Sequence, residues 1–223
     1  MRIRSVLALS LALALAAPTA FAAQDIDKVN GSITVEAGQT VGELDTVNGS
    51  IRIGSGARAG DAETVNGSIT VAEDVQAGGL STVNGSIKVG TNGRFSKGVE
   101  TVNGGIYVDR GGVIGGNVET VNGAIGLVGT QVTGGLETVN GDVTVGADSH
   151  VKGGLRYAKP NRQLFSMNNR DPRVVIGPNA VVEGPLVFER KVTLYVHSSG
   201  LRQRRPHRGR SVRRRQLRRG RRL

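Results

Sequence analysis

A chain of 223 residues with 34 glycines, no Cys, no Trp, four Phe and three Tyr has the length of one domain but lacks the large side chains that anchor a thick globular core. The missing cysteine excludes a disulfide framework, thiol catalysis and Cys-based zinc sites. The formal charge of +11 is unevenly placed: twelve arginines and no acid lie in 201–223, and two more are Arg2 and Arg4. The other fifteen basic residues face eighteen acidic ones, so the body carries about −3 and offers no basic face for nucleic acid.

The N-terminus reads as an export signal over residues 1–22. Arg2 and Arg4 form a positive segment, Val6 to Ala16 is an apolar run, Pro18 breaks it, and Ala20-Phe21-Ala22 is a small-x-small cleavage pattern. The run is too short to span a bilayer. The expected mature chain therefore begins near Ala22 or Ala23, is exported to the periplasm or surface of a bacterium, and carries no membrane span.

A repeat governs residues 23–158. Asn-Gly recurs at Asn30, Asn48, Asn66, Asn84, Asn103, Asn122 and Asn140, in steps of 18 or 19 residues. Six of the seven follow Thr-Val, at Thr46-Val47, Thr64-Val65, Thr82-Val83, Thr101-Val102, Thr120-Val121 and Thr138-Val139; the first follows Lys28-Val29. Within one unit, Val65, Ile69, Val71, Val75, Ala77 and Leu80 mark apolar positions, matched by Val47, Ile51, Ile53, Ala57, Ala59 and Ala62 in the unit before. Alternation over two or three residues followed by a break predicts very short strands with one buried face. Gly78-Gly79, Gly115-Gly116, Gly134-Gly135 and Gly153-Gly154 precede a strand and predict a corner that needs positive φ or close backbone approach.

Asn-Gly between alternating apolar residues is also the usual hairpin signal, so an antiparallel meander competes. A meander of this period would leave long open edges. One coil per unit instead stacks identical residues ~4.8 Å apart. The expected fold is all-β: a single-stranded parallel β-helix of about nine coils of 18–19 residues. Its asparagines form a structural ladder, and its Val, Ile and Leu columns fill a lumen kept narrow because no unit brings a bulky residue. Asn→Ala in mid-ladder leaves two neighbouring amides unpaired at a cost of ~1–3 kcal/mol, that of an unsatisfied buried polar group.

After Leu155 the motif changes. Tyr157-Ala158-Lys159-Pro160 stands where Thr-Val-Asn-Gly would be, and 159–173 reads as a loop thrown out of the stack. Its Phe165, Met167 and Arg170 are the candidate contact residues, against an ordinary insertion that caps the lumen. The last coils resume over 174–197. The Arg-rich end, 198–223, reads as disordered, with two origins open: a polyanion-binding arm, or a change of reading frame near His197 that removed the native end and left a strand edge exposed.

Ile176-Gly177-Pro178-Asn179-Ala180-Val181 and the 18-residue coil resemble hexapeptide and bactofilin-type solenoids, and the Thr-Val-Asn-Gly-Ser-Ile units resemble bacterial putative-adhesin and exported polymer-forming repeat proteins. The resemblance covers about Val29 to Val196. It implies a solenoid and end-to-end assembly without nucleotide, although bactofilins are cytoplasmic and this chain has an export signal.

No catalytic constellation is legible. His150 and His197 stand alone, and Glu63, Glu100, Glu119 and Glu137 recur as an outward column rather than a convergent pair. No phosphate loop, nucleophile elbow, calcium nonapeptide or metal cluster is present. The expectation is a non-enzymatic protein without cofactors. Its partner is a second copy joined end to end in a structural, self-assembling role, or an envelope component bound as an adhesin-like module. Asp25-Ile26-Asp27 places charge at the first coil, against free polymerisation.

Overall fold

The computed structural model describes residues 23–159 and 171–199, and the backbone of 213–217. Every coil contributes to three parallel sheets that wrap one lumen, a β-solenoid. Sheet A has nine strands, mostly five residues long, from Ile26–Asn30 through Leu80–Asn84 to Leu186–Phe188. Sheet B has ten, mostly three-residue strands, beginning at Ile33–Val35 and Ile51–Ile53. Sheet C has six two-residue strands, from Gln76–Ala77 to Val181–Val182, and single bridges Thr40↔Arg58 and Arg58↔Gln76 extend it toward the N-terminus.

The register is one coil per repeat. Asn48 pairs with Asn66 and Asn103 with Asn122, while Ile51 lies on Ile69 and Ile87 on Ile106. Parallel strands of this length cannot hold alone, but each coil's backbone groups are paired by the coils above and below it. The lumen is lined by β-branched and small side chains, among them Ile33, Ile51, Ile69, Ile87 and Ile106, all at most 1% exposed.

The expectation that no unit brings a bulky residue into the lumen is corrected. Phe95 and Tyr157 are both buried. Room for Phe95 comes from its own coil: a Cβ on Gly93 would sit 3.0 Å from the Phe95 ring and 2.6 Å from Val89 Cγ1. Where the coil before pairs Val75 with Ala77, this one pairs Gly93 with Phe95, a small residue making way for a large one within the layer.

The glycine pairs act through close approach rather than positive φ. A Cβ on Gly116 would fall 2.6 Å from the Gly98 nitrogen, and one on Gly153 2.6 Å from the Gly134 carbonyl carbon. Positive φ is concentrated elsewhere, in one column at the turn between sheets B and C. That column reads Gly38, Gly56, Asp74, Asn92, Gly111, Gly129, Asp148 and Asn179. Gly, Asn and Asp are the residues that tolerate left-handed backbone. Asn92 Nδ2 donates to Asp74 Oδ1 at 3.0 Å, and Asn179 Nδ2 to Asp148 Oδ1 at 3.0 Å, tying the column together.

The insertion falls in the chain where other coils have their Asn-Gly corner. Leu155 lies on Leu186 and Val143 on Val174, so this coil is 31 residues long and the register survives. Phe165, Met167 and Arg170 lie outside the described residues. At the C-terminal end, Thr193–His197 does not keep the open edge that a change of reading frame is expected to leave: Arg213–Leu217 pairs with it in parallel, from Thr193↔Arg213 to His197↔Leu217. An edge of unpaired N–H and C=O groups is a template for any extended segment within reach.

Candidate binding face

The outer surface of sheet A is built from the repeat itself. In Leu44-Asp45-Thr46-Val47-Asn48, alternation places Leu44 and Thr46 inward and Asp45 and Val47 outward. The expectation that the Val of Thr-Val-Asn-Gly fills the lumen is therefore corrected. Val47 and Val65 are each 41% exposed and Val102 39%, whereas Thr46, Thr64, Thr82, Thr101, Thr120 and Thr138 are buried.

Hydrogen bonding decides this inversion. Thr64 Oγ1 donates to the carbonyl of Gly49 at 2.8 Å, and Thr82 Oγ1 to that of Gly67 at 2.8 Å. From Thr46 to Thr120 the threonine of each coil thus supplies a donor to the corner of the coil before. Valine has the same shape and no donor, so it would leave a corner carbonyl short of a partner.

The asparagines stack in register at that corner. Nδ2 of Asn48 donates to Oδ1 of Asn30, that of Asn66 to Asn48 and that of Asn84 to Asn66, each at 3.0 Å. Asn103, Asn122 and Asn140 continue the chain, each amide donating toward the N-terminal end. Because these side chains lie at an exposed or half-buried corner, breaking one link costs a net ~0.5–1.5 kcal/mol, below the range for buried amides. The serine after Gly adds a third ladder: the Ser68 N–H donates to Ser50 Oγ at 3.3 Å and that of Ser86 to Ser68 Oγ at 3.2 Å. Glycine is required between them, since a Cβ on Gly67 would lie 1.9 Å from the Gly49 oxygen.

Two outward columns therefore run along sheet A. One is apolar: Val29, Val47, Val65, Val83 and Val102, with Val29 68% exposed. The other is acidic: Asp27, Asp45 and Glu63, then Ser81, then Glu100, Glu119 and Glu137, each in register with the next. A shallow groove follows both columns past Asp27, Val29, Asp45, Val47, Glu63 and Val65. Burial, followed by the charges of Asp27 and Asp25, pushes the Asp45 carboxyl above the usual carboxylate range. Burial and then Glu119 raise that of Glu100.

Both columns close at the C-terminal end with arginine. Arg156 lies on Glu137 in the acidic column, with Nη1 3.2 Å from Glu137 Oε1 and Nη2 2.8 Å from Glu189 Oε1. Arg190 Nη1 reaches the Val139 carbonyl at 3.1 Å and Asn140 Oδ1 at 2.7 Å, at the end of the valine and asparagine columns. Val121 and Val139, in this region, are only half exposed.

The threonine column also ends at both extremities. Lys28 takes the threonine position in the first coil, exposed, with its ammonium 2.8 Å from the Ser32 carbonyl. Tyr157 takes it in the coil after Thr138, fully buried between Thr138 and Phe188 of the last strand of sheet A. Neither the Tyr157 hydroxyl nor Thr138 Oγ1 has a hydrogen-bond partner among the described residues. Burial and the charge of Asp142 push the Tyr157 phenol strongly upward.

The two histidines among the described residues lie apart from this face. His150 Nε2 is 2.6 Å from Glu183 Oε1 at the surface of sheet C, and His197 Nδ1 is 2.8 Å from Ser199 Oγ. Among the described residues no group of His, Asp or Glu is arranged to hold a metal ion, and no helix is long and apolar enough to cross a membrane. No family model, curated protein or solved structure matches this chain.

Proposed function

We infer that this chain is a non-enzymatic, exported β-solenoid of the bacterial cell envelope, acting as a rigid rod that presents the outer face of sheet A to another envelope component. The observation that carries the reading is the arrangement of that face. A continuous exposed valine column and a parallel carboxylate column extend over most of the rod without serving its core. The resemblance to putative-adhesin repeat proteins points to the same use, and the apolar run at Val6 to Ala16 with Ala20-Phe21-Ala22 supports export.

End-to-end self-assembly, the use implied by the resemblance to polymer-forming proteins, is the second reading. It is supported by the first coil, where Ile26–Asn30 and Ile33–Val35 have no neighbour on their N-terminal side among the described residues. The ends weigh against it. A second copy would need to continue the ladders, yet the asparagine ladder already stops at Asn140, two strands of sheet A before its C-terminal edge, and Lys28 stands in the threonine column of the first coil. Lysine on an edge strand is a common device against edge-to-edge pairing.

Fractionation of a bacterial host expressing the full chain tests the reading. A mature form beginning near Ala23 and recovered with the envelope is expected. An unprocessed form starting at Met1 and confined to the cytoplasm would overturn it.

A further inference from the structure

The acidic and apolar columns of sheet A do not balance each other. Carboxylates one coil apart, at ~4.8 Å, repel along the stack. Burial first, and the neighbouring carboxylates second, hold Asp45 and Glu100 above the usual carboxylate range. Beside them, valines present methyl groups to water over five successive coils. A face of this kind is stabilised by a group that is cationic at one end and can lie flat on apolar surface.

The chain itself supplies such a group twice, where the two columns end. The guanidinium of Arg156 sits between Glu137 and Glu189. That of Arg190 lies against the backbone of Val139 and the amide of Asn140. Arginine suits both places, because its planar fork matches a carboxylate, its charge persists at any working pH, and its stem covers apolar surface. Nothing occupies the same two columns between the first coil and Glu100 among the described residues, although the side chains there are of the same kind.

We propose that the open part of sheet A, from Asp27 and Val29 to Val83 and Glu100, is a docking surface for an extended, arginine-bearing peptide segment of another polypeptide. Its guanidinium groups take the positions over Asp45, Glu63 and Glu100 that Arg156 takes over Glu137, and its aliphatic portions cover Val47, Val65 and Val83. Recognition is by charge and flat apolar contact, so it weakens as salt rises. This rests on the reading of sheet A as the working face, and it adds the chemistry of the partner.

The test is a titration of the mature full chain against a fluorescent extended peptide of alternating Arg and Val, read by anisotropy. Saturable binding is expected, weakened at least tenfold by Asp45→Asn with Glu63→Gln and, separately, by Val47→Ser with Val65→Ser. Glu36→Gln with Glu73→Gln removes the same charge from the turn corners and is expected to leave affinity within twofold. Circular dichroism on each variant confirms that the solenoid is retained, and the carboxylate pair covers the case in which the serine variant fails to fold. No saturable binding, or equal losses from the face and corner pairs, would overturn the proposal. So would self-association of the unliganded chain that Val47→Ser with Val65→Ser abolishes, since the occupant would then be a second copy. Export and envelope recovery are measured without the peptide, so either result can stand when the other fails.

Discussion

Arg190 Nη1 donates to Asn140 Oδ1 at 2.7 Å, and with that contact the asparagine ladder stops. Each upstream asparagine oxygen accepts from the amide one coil later, so Asn140 would be left with an open acceptor where Lys159 replaces the next asparagine. Arginine fills it, and the same nitrogen reaches the Val139 carbonyl at 3.1 Å. Arg190→Ala is expected to lower stability by ~1–2 kcal/mol, the range for one or two partly buried hydrogen bonds to a charged donor. Urea denaturation reads the total. Hydrogen exchange should place the loss in the coils around Asn140 and leave those around Asn48 protected as before.

The inward threonine and outward valine give a paired test. Thr82→Val keeps shape and adds apolar surface inside the lumen, yet it removes the donor to the Gly67 carbonyl at 2.8 Å. A loss of ~1–2 kcal/mol is expected, because the half-buried Gly67 acceptor loses its partner. Val83→Thr, one residue on and facing water, should stay within about 0.5 kcal/mol. Equal effects in urea denaturation would contradict the assigned faces.

Glycines of the two kinds should respond differently to alanine. In Gly85→Ala the new Cβ meets the Gly67 oxygen at 2.0 Å, a backbone atom that cannot move without shifting a coil. Loss of the cooperative transition, or a drop of more than about 3 kcal/mol, is expected. Gly56→Ala meets nothing within 4 Å and costs only the left-handed backbone at φ +69, ~1–2 kcal/mol. Gly56→Asn should recover most of that, as Asn92 occupies the same column at φ 59. Thermal melts of the three variants rank them.

The Asp45 carboxyl is raised by burial and then by Asp27 and Asp25. A carboxyl with its folded pKa above the unfolded value makes folding less favourable once pH exceeds both. That penalty disappears as pH falls through the folded value toward the unfolded one. Asp45→Asn should therefore raise the urea midpoint at pH 7 and leave it almost unchanged near pH 3. A gain of the same size at both pH values would assign the effect to something other than charge.

Much of the fold is legible in the spacing of Asn-Gly, because a residue that recurs every coil must stack upon itself in any solenoid. The side of the sheet taken by Thr and Val is not. Both are β-branched, both fit a strand, and hydropathy alone sends valine inward. The deciding group is the carbonyl of Gly49 or Gly67, which belongs to another coil and is invisible from within one repeat. The left-handed column escapes notice for a different reason. Its members change between Gly, Asp and Asn, so the conserved quantity is a backbone angle rather than a letter. Arg190 could not be placed from the sequence, since its partner Asn140 lies fifty residues away across the insertion. Of the face, the glutamate column is legible as an outward row, whereas hydropathy places the valine column beside it in the lumen.

Sedimentation velocity of the mature chain over a hundredfold range of concentration tests the central claim, that the solenoid is a solitary rod whose ends are closed and whose side does the work. A single elongated species is expected, with a frictional ratio fitting a stack ~40–45 Å long and independent of concentration. Lys28→Thr is expected to shift that species toward larger assemblies, because it removes the edge charge and restores the repeat's own residue. Concentration-dependent filaments of the unmodified chain, joined end to end, would contradict the account.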